Sequence, residues 1–127
     1  MNIPENLTYT RDHEWIKVED DIAYIGISDY AQSQLGDIVF VEVETVGETL
    51  EKGESLGTIE AVKTVEDVYM PLSAEILEFN EKLKENPELI NKDPYGEGWI
   101  AKVKLTNLAE INDLMDANAY KAYLESL

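Results

Sequence analysis

Apolar residues fall along the chain in short runs that alternate with polar ones, and a helical spacing dominates only toward the C-terminus. Trp15–Glu19 and Ile22–Ile27 predict two strands joined at Asp20-Asp21. Ser28 offers an N-cap for a short helix over Asp29–Leu35. Gly36 fits the C′ position of that helix, where a left-handed conformation is usual. Asp37–Val43 is rich in β-branched residues and predicts a strand with Val39, Val41 and Val43 on one face. Turn signals at Val46-Gly47-Glu48 and Lys52-Gly53-Glu54 bracket a very short strand, Thr49-Leu50. Strands around Leu56–Val62 and Thr64–Tyr69 follow, with Lys63 between them. Pro71 ends the second, since proline cannot donate to a sheet ladder.

Ser73–Leu83 reads as a helix from its composition and from the spacing of Ile76, Leu77 and Leu83. Asn86-Pro87 predicts a cap and a first helical position, opening a turn that runs through Ile90. Asp93–Gly98 is a loop, and Trp99–Leu105 alternates with Trp99, Ala101, Val103 and Leu105 facing inward. A helical segment is predicted over about 107–127. Asn107 and Glu110 have capping-box spacing, Leu108, Ile111 and Met115 form one stripe, and Tyr120, Tyr123 and Leu124 extend the apolar surface. Asp116 caps a second piece of this segment. Many short strands with a terminal helix predict a mainly β small barrel or sandwich with helical additions.

A length of 127 residues suits one domain, 1–127, with a modest core. Ten basic against 27 acidic residues give a formal charge of −17. Such a surface repels phosphate backbones and anionic lipid, so neither nucleic acid nor membrane is an expected partner, and it favours a monomer that meets positively lined docking sites. With no cysteine, disulfides and thiol catalysis are excluded, and any sulfur redox chemistry needs a borrowed cofactor. The first residues carry neither the basic and apolar regions of a secretory signal nor the Arg-rich character of a transit peptide. No apolar run approaches the ~20 residues of a membrane span. A cytoplasmic protein is expected, although a mature mitochondrial matrix protein would read the same.

His13 is the only histidine, too few imidazoles for a zinc site. Carboxylates are too abundant to nominate an acid–base pair, and no calcium loop or phosphate loop is present. No metal ligand and no catalytic residue is therefore assigned. Lys63 stands between Val62 and Thr64, where a lysine is most often a solvated edge residue, and no Asn-Gly or Asp-Gly pair marks a hairpin there.

Four blocks, in order, change the standing of that lysine. Glu60-Ala61-Val62-Lys63 followed by Asp67–Ser73 resembles the lipoyl-lysine hairpin of the glycine cleavage system H protein family. Tyr9-Thr10 with His13-Glu14-Trp15 resembles the family's opening motif, and Gly26–Ala31 with Leu35–Val39 its next block. Asn91–Trp99 resembles its late signature. The similarity covers nearly the whole chain.

The resemblance implies a hybrid barrel-sandwich, the lipoyl- and biotinyl-domain-like fold, with short helices and a C-terminal helix. It makes Ala74–Phe79 a strand, with tertiary pairing overriding propensity. Lys63 is then the residue acylated by lipoic acid at the tip of a tight hairpin. The implied protein is a carrier with no active site of its own. It takes the aminomethyl group of glycine from a pyridoxal phosphate-dependent glycine decarboxylase to a tetrahydrofolate-dependent aminomethyltransferase. Dihydrolipoamide dehydrogenase reoxidises the arm, and a lipoate ligase or lipoyl transferase installs it. The loaded arm is implied to fold back onto a cleft, with Glu14 and Asp67 meeting the positive amine and His13 and Trp15 shaping the site. Ala61, Ala74 and Thr45 depart from the family's commoner Ser, Gly and Pro, and Ala74 raises the question of a positive φ. Alternative readings are a lipoate relay that donates lipoyl groups to other acceptors, a biotin carrier domain, a lipoyl domain of a 2-oxoacid dehydrogenase, and an adaptor with unmodified Lys63.

Overall fold

The computed structural model describes residues Met1–Leu127. Nine strands form two antiparallel sheets. The larger runs β1 (Thr8–Tyr9), β2 (Glu14–Glu19), β3 (Ile22–Ile27), β9 (Ala101–Leu105), β8 (Ala74–Phe79) and β5 (Thr49–Leu50). The smaller holds β4 (Ile38–Glu42), β6 (Ser55–Ala61) and β7 (Val65–Tyr69) in that order. Between them lies the main core, with Ile16, Ile25, Leu56, Ile59, Met70, Leu72, Ile76 and Val103 fully buried. The result is the mainly β barrel-sandwich, with short helices and a C-terminal helix, that the resemblance implies.

Local signals at several ends hold. Ser28 caps α1 (Asp29–Leu35) through an Ala31 N–H donated to its hydroxyl at 3.2 Å, and Gly36 ends it at φ 78°. In β8, Ala74, Ile76 and Phe79 are buried, so the composition that favours a helix there yields to sheet pairing with β9. Ala74 is fully buried without a positive φ, which only His13 and Asp20 adopt among non-glycine residues.

Other expectations are corrected. In β4 the inward residues are Ile38 and Val41, each 3% exposed, while Val39 is 50% exposed. A bulge between Ile38 and Phe40 breaks the two-residue period on which the Val39–Val41–Val43 face rested. Asn86 ends a short helix, α2 (Lys82–Glu85), and does not cap the next; the turn from Asn86 through Ile90 does form, with Leu89 N–H donating to Asn86 O at 3.1 Å and Ile90 N–H to Pro87 O at 3.2 Å, and α3 begins at Leu89 (Leu89–Lys92). Trp99 precedes β9 and packs edge-on against Tyr24, with Ile100 taking the buried place beside it.

The C-terminal segment is split. A 3-10 turn over Leu108–Asp113 leads to an extended Leu114, and α4 (Ala117–Glu125) starts at Asp116, whose carboxylate accepts the Ala119 N–H at 2.8 Å. The Asn107–Glu110 box does not form. Glu110 instead accepts the Ser73 N–H at 2.7 Å and the Ser73 hydroxyl at 3.2 Å. A second, smaller core gathers Leu7, Tyr9, Trp15, Ala117 and Tyr120, and through it α4 is fastened to β1 and β2.

Candidate functional site

Strand β2 sorts its residues by its two-residue period. Ile16 and Glu14 share a face, and that face meets the main core. Glu14 stands at the strand's first position, where the core opens into a cleft of about 410 Å³. Trp15 points the other way, into the second core, where its indole N–H donates to the Pro94 carbonyl at 2.9 Å. Gly26 pairs with Trp15 on β3, and the indole lies over it. Trp15 thus does not line the cleft, while His13, Glu14 and Asp67 all do.

His13 precedes the strand in a left-handed conformation, φ 70°, so a turn sets its direction and not the strand's alternation. Its N–H donates to Thr10 O at 3.1 Å and its carbonyl accepts the Ser28 N–H at 2.8 Å. The ring packs against Tyr30, Tyr120 and Tyr123, with centroids 4.7, 5.8 and 5.9 Å away. Burial lowers the imidazole pKa against the opposing field of Asp12.

Glu14 is the most perturbed carboxyl group in the molecule. Only 2% exposed, its carboxyl is pushed up to about 7 by burial. The Thr10 hydroxyl, donating to Oε1 at 2.7 Å, and the Tyr69 backbone amide hold it down, while Asp12 adds to the rise. Asp67 lies on the edge strand β7, exposed, with the Ser55 hydroxyl donating to it at 3.3 Å. Ile27, Ala31, Leu35, Ile59 and Val68 give the cleft an apolar lining between these polar groups. Thr10, Tyr120 and Ser28 are contributors that the sequence reading did not single out as site residues. Thr10's place four residues before Glu14, across a tight turn, is the one local signal for it.

Lys63 occupies the turn between β6 and β7. The last ladder pair is Glu60–Val65, and the Ala61 N–H donates to Thr64 O at 2.8 Å. The Val62 N–H donates to Asp37 O at 3.0 Å, anchoring the turn to the start of β4. Lys63 is exposed and makes no ion pair or hydrogen bond. Its stem crosses Gly36, with Cε 3.7 Å from where a Cβ would stand. Gly36 follows Leu35 of the cleft wall, so the amine rises beside the cleft's rim.

A larger groove of about 710 Å³ between β4 and β8 shares no residue with this cleft. The smaller one is the functional candidate, because it adjoins Lys63 and holds the perturbed carboxyl. No helix is long and apolar enough to cross a membrane, and no group of three or more His, Cys, Asp or Glu side chains gathers in metal-binding fashion.

The family described as Glycine cleavage H-protein matches residues 7–127. The chain is 66% identical to the glycine cleavage system H protein of Bacteroides thetaiotaomicron over 122 residues, 96% of this chain and 97% of that one. It is 52% identical to that of Halothermothrix orenii over 127 residues, 100% of this chain and 99% of the other. A crystal structure of a glycine cleavage system H protein from Mycobacterium marinum superposes with a TM-score of 0.88 at 40% identity, covering 98% of this chain and all of that one. On sequence and on structure alike, the chain belongs to the glycine cleavage H-protein family.

Proposed function

We propose that residues 1–127 form one lipoyl-carrier domain of the glycine cleavage system, loaded on Lys63 and without catalytic residues of its own. The observation that carries the assignment is the free Lys63 amine on a hairpin turn beside a cleft whose deepest polar group is Glu14. A lipoyl amide there supplies a disulfide that accepts the aminomethyl group of glycine and is reduced in doing so.

The chain's residues do the rest. The β6–β7 ladder and the Val62–Asp37 bond hold the attachment point in one geometry for a lipoate ligase or lipoyl transferase. Acylation removes the lysine charge and leaves a long stem that raises the local concentration of its end at each partner. The apolar cleft lining suits the stem, and a volume of about 410 Å³ is in the range of small-molecule sites. Glu14 and Asp67 offer carboxylates to a protonated amine at its end, and His13 borders them.

Membership in the family supports partners within the glycine cleavage system. We infer these to be glycine decarboxylase, aminomethyltransferase and dihydrolipoamide dehydrogenase. A charge of −17 favours a monomer and basic docking sites. Bacterial relatives and the lack of a long apolar helix support a cytoplasmic setting.

Trypsin mapping of protein from its native host tests the attachment. Cleavage follows Lys52, Lys63 and Lys82, and acylation blocks the middle cut, leaving a Gly53–Lys82 peptide heavier by one lipoyl group. A biotin mass indicates a biotin carrier, and free Lys63 ends the carrier reading. Transfer assays with the partner enzymes then separate glycine cleavage from a lipoate relay.

A further inference from the structure

The Tyr120 hydroxyl sits between two partners, Ser28 Oγ at 2.7 Å and His13 Nδ1 at 2.9 Å. Counting protons fixes the direction of both bonds. Ser28 is fully buried, and its Oγ accepts the Ala31 N–H as the cap of α1. The one acceptor within hydrogen-bond distance of its own proton is the Tyr120 oxygen. A buried hydroxyl proton without an acceptor is costly, so Ser28 donates to Tyr120. Tyr120 then has one proton and one remaining partner, and it donates to His13 Nδ1. Nδ1 must carry a lone pair, which puts the proton of the neutral imidazole on Nε2. Protonating Nδ1 as well would strand the Tyr120 proton, in keeping with the direction in which burial moves this imidazole.

Nε2 has no partner within the protein, and His13 borders the cleft. The ring cannot turn away easily, since three tyrosines pack around it and Ser28 and Thr10 pin its backbone. The cleft's carboxylates accept hydrogen bonds, which suits an amine. An amide oxygen calls for a donor instead, and a sulfur accepts one weakly. Arg11, a cation on the same rim, is exposed and lies 5.8 Å over the Tyr123 ring.

We propose that the Ser28–Tyr120–His13 chain fixes His13 as its Nε2–H tautomer, and that this N–H donates to an acceptor atom of the docked arm, a sulfur or the amide oxygen. The donor role rests on the arm-docking reading of the cleft, while the tautomer does not. His13 contacts the arm in this scheme, Tyr120 and Ser28 are its positioning residues, and α4 reaches the cleft through Tyr120.

The single histidine makes the test direct. Two-bond proton–nitrogen correlation spectra of protein with ¹⁵N-labelled histidine distinguish the two ring nitrogens. Unmodified protein is expected to show an unprotonated Nδ1 and a protonated Nε2, and Tyr120→Phe a mixture of tautomers. A protonated Nδ1, or a mixture in the parent protein, overturns the tautomer. On loading Lys63, confirmed by intact mass, the Nε2–H resonance is expected to shift. An octanoyl group has the amide but no sulfur, so a shift shared with octanoyl protein assigns the oxygen, and a shift seen only with lipoyl protein assigns a sulfur. No shift with either overturns the donor role. Absence of a lipoyl group in native protein removes the arm and the donor role together and leaves the tautomer result standing.

Discussion

Thr10 and Glu14 grip each other across a tight turn: the Thr10 hydroxyl donates to Glu14 Oε1 at 2.7 Å and accepts the Glu14 backbone N–H at 3.2 Å. The same oxygen takes the Asp12 N–H at 3.2 Å. One hydroxyl therefore shapes the turn and steadies the buried acid. Its bond favours the ionised carboxyl but does not offset burial, and Glu14 changes charge near neutral pH.

That balance predicts a pH-dependent stability. A free glutamate ionises near 4.5, and Glu14 in the folded chain near 7. Below the lower value both states hold the proton, and Glu14's contribution to stability is fully present. Between the two, the unfolded chain releases its proton first, so stability falls as pH rises and levels off above about 7. The gap corresponds to about 3 kcal/mol. Urea unfolding of the parent protein against Glu14→Gln, from pH 4.5 to 8, should show the parent losing stability relative to the variant by an amount of this order. A constant difference across the range would contradict a raised Glu14 pKa. Thr10→Val should move the Glu14 carboxyl higher still, read by ¹³C NMR of that side chain.

The sequence revealed much of this site, and strand geometry explains what it hid. His13, Glu14 and Trp15 form one motif in the chain, yet consecutive strand residues face opposite ways, so Glu14 and Trp15 cannot share a cleft. The boundary between turn and strand, which decides where His13 points, depends on a positive φ that no glycine announces. Ser28 was legible as a cap, but its bond to Tyr120, 92 residues away, was not, because it depends on how α4 docks.

The same contrast runs through the fold. Strands β2, β3, β6 and β7 were readable as apolar runs bounded by the signals at Asp20-Asp21, Lys52-Gly53-Glu54 and Pro71. The strand at Ala74–Phe79 was not, since only pairing with β9 overrides its helical composition. The bulge in β4 leaves no mark in the apolar stretch Ile38–Val41. The turn at Lys63 lacks the usual residues because it leans on Asp37, a neighbour in space.

Gly26 should tolerate no side chain. A Cβ there would lie 2.5 Å from Trp15 Nε1, and the indole is held by its bond to Pro94. Gly26→Ala must displace the ring or the strand, a change expected to cost about 1–3 kcal/mol. Urea unfolding followed by tryptophan fluorescence reads both the loss and the altered indole environment. An unchanged midpoint would mean that the ring moves freely.

Lys63→Arg should leave the fold alone and end the loading. The side chain is exposed and unpaired, and surface changes of this kind stay within about 0.5 kcal/mol. The guanidinium keeps the charge but is not acylated. Thermal unfolding should match the parent, while intact mass after incubation with a lipoyl-attaching enzyme shows no added group. Lipoyl mass on this variant would move the attachment to another lysine.

Glu14→Ala should shorten the life of the loaded arm. Only an unprotonated amine has a lone pair able to expel the neighbouring sulfur, and a carboxylate beside it keeps it protonated. A hydrogen bond to a charged group is worth about 1.5–3 kcal/mol, so its removal should speed loss of the aminomethyl group by about tenfold or more. Asp67→Asn should have a smaller effect, because Asp67 is exposed and solvent screens its charge. Glu14→Gln, which keeps the shape but not the charge, should resemble Glu14→Ala if charge is the cause and the parent if shape is. The time course of intact mass measures all three variants. Decay of Glu14→Ala at the parent rate would take the buried carboxyl out of the arm's protection.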